Sequence, residues 1–149
     1  RVVLTTVGPY QLYGNELVGA CVKAGTDYAD LCGEPGWMRE MIDQHHDAAK
    51  ASGARITFSC GFDSIPFDLG VLYLQAEAVR RFGKPAPRVK GRMRKMAGGA
   101  SGGTIASLTE TLKAVARKPS LALLLKSSFA LTPGFEGPSQ PSGLIPEYD

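Results

Sequence analysis

The chain has 149 residues, 44% of them hydrophobic and 21% charged, enough for one ordinary domain with a real core and too apolar for a disordered chain. No apolar run approaches the ~18 residues that span a bilayer; the longest, "LALLL" at 121–125, stops at Lys126. The net charge of +3 hides an asymmetry: residues 1–79 carry five Lys/Arg against ten Asp/Glu, whereas residues 80–149 carry twelve against four. Eight of the cations fall between Arg80 and Lys95, and no acidic residue lies between Glu77 and Glu110, a composition break of the kind that separates units with different jobs.

In chain order, the first half alternates strand and helix. The run Val2–Val7 reads as a strand that breaks at Gly8-Pro9-Tyr10. An apolar-faced helix follows at about 15–24, closed by Gly25. A short strand covers 28–32. A helix from about Gly36 to Ser52 carries Trp37, Met38, Met41, Ile42, His45, Ala48 and Ala49 at helical spacing. The strand "RITFSC" (55–60) leads through "GFDSIPFDLG" to a third helix ending near Phe82, with Asp63-Ser64 as its expected cap. Such alternation predicts parallel βαβ units in a doubly wound α/β sheet.

After "KPAP" (84–87) the pattern changes. Arg88, Lys90, Arg92 and Arg94 alternate with Val89, Gly91 and Met93, which predicts a half-exposed strand of a mixed or antiparallel sheet. The turn "GGASGG" (98–103) precedes a helix with Ile105, Leu108, Leu112 and Val115 on one face, ended by Pro119. A second apolar helix is expected over about 120–131, and a Pro/Gly-rich tail without regular structure from 132. The domain reading is therefore 1–83, 84–131 and an irregular tail, 132–149.

Each of the first three strands ends in glycine: Gly8, Gly33 and Gly61. In a parallel sheet these ends share one edge, the edge at which open α/β sheets bind ligands. Glycine there admits close backbone approach, although it also simply punctuates turns. No strand–GxGxxG–helix cradle occurs. "GGASGGT" (98–104) has the outer spacing of a phosphate loop but no lysine before Thr104. Its helix N-terminus offers N–H donors to an anion, or the segment is a flexible turn with Thr104 as cap. Adjacent His45 and His46 point about 100° apart on a helix and form no metal pair; both read as structural, and no metal is expected. The cationic stripe at 80–95 lacks interleaved aromatics apart from Phe82, so a solvated face, or attraction for an acidic or phosphorylated ligand, is favoured over nucleic acid. Cys21, Cys32 and Cys60 have no CxxC spacing and read as reduced, mostly buried thiols of a cytoplasmic protein.

Three stretches, "TTVGPYQLYGNELVGACVKAGTDYADLCGE", "GFDSIPFDLG" and "GGTIAS", together resemble the saccharopine dehydrogenase-like oxidoreductases, and most closely their trans-acting enoyl reductase subgroup of actinobacterial lipid biosynthesis. The resemblance covers most of residues 1–118. It implies the C-terminal part of a Rossmann-like parallel sheet followed by the start of an α+β second domain, and an NAD(P)-dependent reductase acting on an enoyl or related acyl intermediate. "VGPY" resembles the loop after the fourth strand of such a sheet, so Val7, Gly8, Pro9 and Tyr10 are implied cofactor contacts, with Gly33, Gly61, Phe62 and Asp63 on the next two loops. Gly102, Gly103 and Thr104 would open a cleft-facing helix of the second domain. Arg92 and Arg94 are substrate candidates, for an acyl group on a carrier or another small molecule. Tyr10, Tyr28 and Asp63 are proton-donor candidates on position alone, and no catalytic residue is assigned. On this reading the chain is a piece of a longer enzyme, lacking the GxGxxG unit and not retaining NAD or NADP by itself. The alternative is a non-catalytic truncated homologue used for pairing or scaffolding. A homodimer and association with a membrane surface are left open.

Overall fold

The computed structural model describes residues 1–95 and 97–138. Three parallel strands, β1 (Val2–Thr5), β2 (Asp27–Asp30) and β3 (Ile56–Thr57), lie in the order β1-β2-β3. Val3 stands opposite Tyr28, and Tyr28 opposite Ile56. Among the described residues six helices accompany them: α1 (Tyr10–Tyr13), α2 (Asn15–Lys23), α3 (Pro35–Ser52), α4 (Ile65–Phe82), α5 (Gly102–Arg117) and α6 (Ser120–Lys126). The α/β class and, apart from the added α1, the alternation of strand and helix in the first half match the hydrophobic pattern.

The core forms where α2 and α3 cover the sheet. It contains Tyr10, Val18, Cys21, Val22, Tyr28, Cys32, Trp37, Met38 and Met41, with Val3, Leu17, Ile56 and Phe58 packed against it. Trp37 is central: its ring lies 5.5 Å from Tyr10 and 5.4 Å, edge-on, from Phe58, and its Nε1–H donates to Asn15 Oδ1 at 2.6 Å. Rings at these separations add to area burial through their quadrupoles. Gly25, Gly53 and Gly83, each at φ between 59° and 77°, end α2, α3 and α4, the left-handed stop that only glycine makes without strain. The three cysteines are free; Cys21 and Cys32 are buried and Cys60 half-buried.

Several expectations are corrected. The stretch 88–95 forms no strand. Its alternation defines two faces, but a strand exists only where a neighbour completes its ladder, and among the described residues the sheet comprises β1, β2 and β3 without this stretch. The third strand shrinks to two residues because Ser59 turns left-handed (φ 58°); its N–H leaves the ladder for Asp30 Oδ1 at 2.9 Å. A short helix, α1, appears directly after Gly8-Pro9, a cis peptide. The last helix stops at Lys126 rather than 131. Ser64 stands at the N-cap of α4 without a side-chain cap bond. At α5 the cap is Ser101, whose Oγ accepts from Thr104 N–H at 3.2 Å, rather than Thr104. The tail at 132–138 has no regular structure, and the rest of that segment lies outside the described residues.

The amphipathic reading of α5 is also turned round for three of its four residues. Ile105, Leu108 and Leu112 are about 60% exposed, while the half-buried face carries Ser107, Glu110, Thr111 and Ala114, with Val115 beside them. α4 buries none of its residues fully, and leaves Phe67, Leu72, Tyr73 and Phe82 at the surface.

Candidate functional site

The parallel arrangement brings the carboxyl ends of β1, β2 and β3 to one edge. There a cleft of about 720 Å³ opens, closed on its far side by the N-terminal half of α5. Gly8, Tyr10, Gly33, Gly61, Phe62 and Asp63 line it from the strand loops; Gly103 and Thr104 line it from α5. Val7, Pro9, Gly102, Arg92 and Arg94 are not among its lining residues. Thr6, Leu31, Cys32, Pro35, Met38, Ser59, Ser64, Ser101, Ser107, Leu108 and Thr111 complete the wall. Sequence reasoning assigned none of these to the site by number, although Thr6, Leu31, Cys32, Ser64 and Ser107 lie within the quoted stretches, because residue type alone does not show which side chains face a cleft. Among the described residues the lining holds no Lys or Arg, and Asp63 is its one charged member. A smaller groove of about 210 Å³, between α3 and β3, takes in Met41, His45, His46 and Phe58. Among the described residues no group of three His, Cys, Asp or Glu is placed to hold a metal, and no helix is long and apolar enough to cross a membrane.

Two buried carboxylates organise the floor. Asp30, fully buried at the end of β2, accepts from Tyr28 Oη–H, Cys32 N–H and Ser59 N–H, each at 2.9 Å. It thereby ties the end of β2 to the turn after β3. Glu34, 1% exposed at the start of α3, reaches across to the loop after β1. Its Oε1 accepts from Tyr10 N–H at 2.9 Å and Ser107 Oγ–H at 2.7 Å, and its Oε2 from Gln11 N–H at 3.0 Å. Those two N–H groups are the first of α1, which an α-helix cannot satisfy internally. Glu34 therefore caps α1 from another element and holds α5 against the strand edge. Neither carboxylate was singled out in the sequence, since acidic residues at strand ends look like solvated turn residues.

The proton-donor candidates separate. Tyr28 is buried away from the cleft and its hydroxyl is spent on Asp30. The Tyr10 hydroxyl donates to Thr5 O at 3.3 Å and accepts from Leu31 N–H at 3.2 Å. Asp63 alone is exposed at the lip.

Burial raises Tyr28 far above the usual phenol range, helped by the Asp30 carboxylate. Desolvation also raises Tyr10 and pushes the Cys32 thiol up to about 12. A group whose folded pKa exceeds its unfolded value stabilises fully below the unfolded value and loses that contribution as pH rises. The urea midpoint should therefore be flat through neutrality and fall from about pH 9 upward, where unfolded thiols and then phenols ionise. Cys32→Ala should make the first part of that fall shallower, between about pH 9 and 10. An unchanged slope there would remove Cys32 from the alkaline transition.

The chain is similar to proteins named as trans-acting enoyl reductases. One from Mycobacterium tuberculosis, whose name marks it as a candidate, is 47% identical over 133 residues, 89% of this chain and 32% of the relative. The Mycobacterium ulcerans and Mycobacterium leprae proteins of that name are 43% and 42% identical over the same share. The chain thus spans about a third of the length of these relatives. No family model matches it, and no solved structure matches it.

Proposed function

We propose that this chain supplies part of the nucleotide and substrate cleft of an NAD(P)-dependent enoyl reductase of saccharopine dehydrogenase-like type, acting on acyl intermediates of lipid biosynthesis. The convergence of three parallel strand ends on one cleft carries the reading, and the similarity to proteins named as enoyl reductases supports it. A nicotinamide cofactor, when bound, supplies a hydride. This chain's contribution is placement. A β-carbon at Gly33 would meet no heavy atom within 4 Å, so its open backbone suits a flat ring. The hydroxyls of Thr104, Ser107 and Thr111 offer polar contacts on the facing wall. The fit is to the nicotinamide end of the dinucleotide: among the described residues no cation in the lining answers a pyrophosphate. Arg92 and Arg94, outside the lining, are not part of the proposed contact set.

The test is a pair of glycines in the full-length protein. Gly8 has no left-handed φ, so it is not held by backbone strain. A β-carbon there would sit 3.5 Å from Ser107 Oγ and from the Tyr10 ring, in ordinary contact. The chain itself thus accommodates a β-carbon, which would take up space a ligand needs for close backbone approach. Gly8→Ala should lower NADPH or NADH affinity about tenfold with little change in melting temperature. Gly25→Ala, at φ 59° and 3.1 Å from Ser52 O, should cost about 1 kcal/mol of stability and leave affinity alone. Equal effects on affinity would remove Gly8 from the site. Absence of nucleotide binding and of NAD(P)H-dependent enoyl-thioester reduction in the wild type would favour the non-catalytic scaffolding reading.

A further inference from the structure

We propose that Ser107 is a specificity-determining contact that accepts, and does not donate, a hydrogen bond from the ligand in the cleft, because Glu34 holds its proton. This rests on the reading of the cleft as a ligand site and names the chemistry that its α5 wall selects.

Two of the donors to Glu34 have no choice. Tyr10 N–H and Gln11 N–H are backbone groups, directed by the chain at the two oxygens of Glu34. A backbone N–H can only donate. Both carboxylate oxygens are therefore acceptors, and Glu34 is nearly sealed from water, so no solvent molecule competes for it. Ser107 Oγ lies 2.7 Å from Oε1. A hydroxyl has one proton and two lone pairs; facing an acceptor, Ser107 commits its proton to Glu34. What it turns to the cleft is lone pairs alone, with the buried carboxylate behind them. Such a surface matches an N–H or O–H of a neutral group. A phosphate or carboxylate oxygen in the same place would meet lone pairs and a negative charge.

Within the ligand class proposed above, the matching chemistry is an amide N–H. Two sources present one: the carboxamide of a nicotinamide ring and the amides of a phosphopantetheine arm. Calorimetric titration of the full-length protein separates them. One pair of ligands is NADPH and its analogue with an acetyl group in place of the carboxamide; the other is a pantetheine thioester and an ethanethiol thioester of the same acyl group. In one pair the wild type should prefer the amide-bearing member about tenfold. Ser107→Ala should abolish that preference by weakening the amide-bearing ligand only. Ser107→Ala also removes the bond that anchors α5 to Glu34, so the melting temperature should fall, and the readout is the preference within each pair, which a general loss of stability would not abolish. Ser107→Thr, which retains the hydroxyl, should restore the preference. If Ser107→Ala leaves the preferences of both pairs as in the wild type, the proposal is overturned while the cleft stands as the ligand site. If the wild type binds none of the four ligands, the reading of the cleft falls and takes this proposal with it.

Discussion

Glu34→Gln should destabilise the protein by about 2 kcal/mol, whereas Asp30→Asn should cost about 1 kcal/mol or less. The two carboxylates are equally buried, and each accepts three hydrogen bonds, but the donors differ in kind. Glu34 receives a backbone N–H on each oxygen. An amide in its place must point its NH₂ at one of them, leaving two donors face to face with no side chain able to turn away. Asp30 receives both of its backbone N–H groups on Oδ1 and a hydroxyl on Oδ2. Asparagine can keep its carbonyl at Oδ1, and Tyr28 can rotate its hydroxyl to accept from the NH₂. Urea unfolding of the two variants beside wild type reads the difference. The opposite ranking would mean that Glu34 is not the tertiary cap of α1.

Gly14→Ala should be the more damaging change, at about 3 kcal/mol. Gly14 is helical in backbone (φ −86°, ψ −30°), so alanine would ordinarily gain up to about 1 kcal/mol there from helix propensity. Packing decides otherwise. The added β-carbon would overlap Trp37 Cζ2 and lie 2.7 Å from Tyr10 O. Trp37 is buried and held by its bond to Asn15, and the carbonyl of Tyr10 accepts the N–H of Gly14 itself at 2.6 Å. Neither can move without opening the core. Gly19, inside α2, is the control: a β-carbon there would meet only His45, at 3.6 Å, so Gly19→Ala should raise stability by about 0.5 kcal/mol. A thermal melt in which both alanines act alike would contradict the close seat of Trp37 over Gly14.

These contacts fix one side of the cleft. The loop after β1 is fixed by Gly14 under Trp37 and by Glu34 at the start of α1, and Glu34 also anchors α5 through Ser107. The anchor joins residues 73 apart in sequence, so it crosses the composition break that separates the two halves of the chain.

The sequence by itself determined the elements of the first half and the edge on which they converge. Periods of two and 3.6 and the stops at Gly25, Gly53 and Gly83 depend on local backbone preference, which each segment carries alone. It also placed Gly8, Gly33 and Gly61 at the strand ends, because a parallel sheet aligns those ends whatever its other contents. Tertiary structure alone decided the rest. Residues 88–95 alternate as a strand does but join no sheet among the described residues, and a ladder needs two strands. α5 has an apolar face by pattern, yet turns Ser107 inward, because the surface it meets offers the Glu34 carboxylate. Ser59 leaves its strand because Asp30, twenty-nine residues earlier, offers its N–H a better acceptor than the ladder does. Glu34 became the centre of the site for the same reason: a buried charge is settled by donors brought from distant segments, and spacing along one chain does not encode which donors those will be.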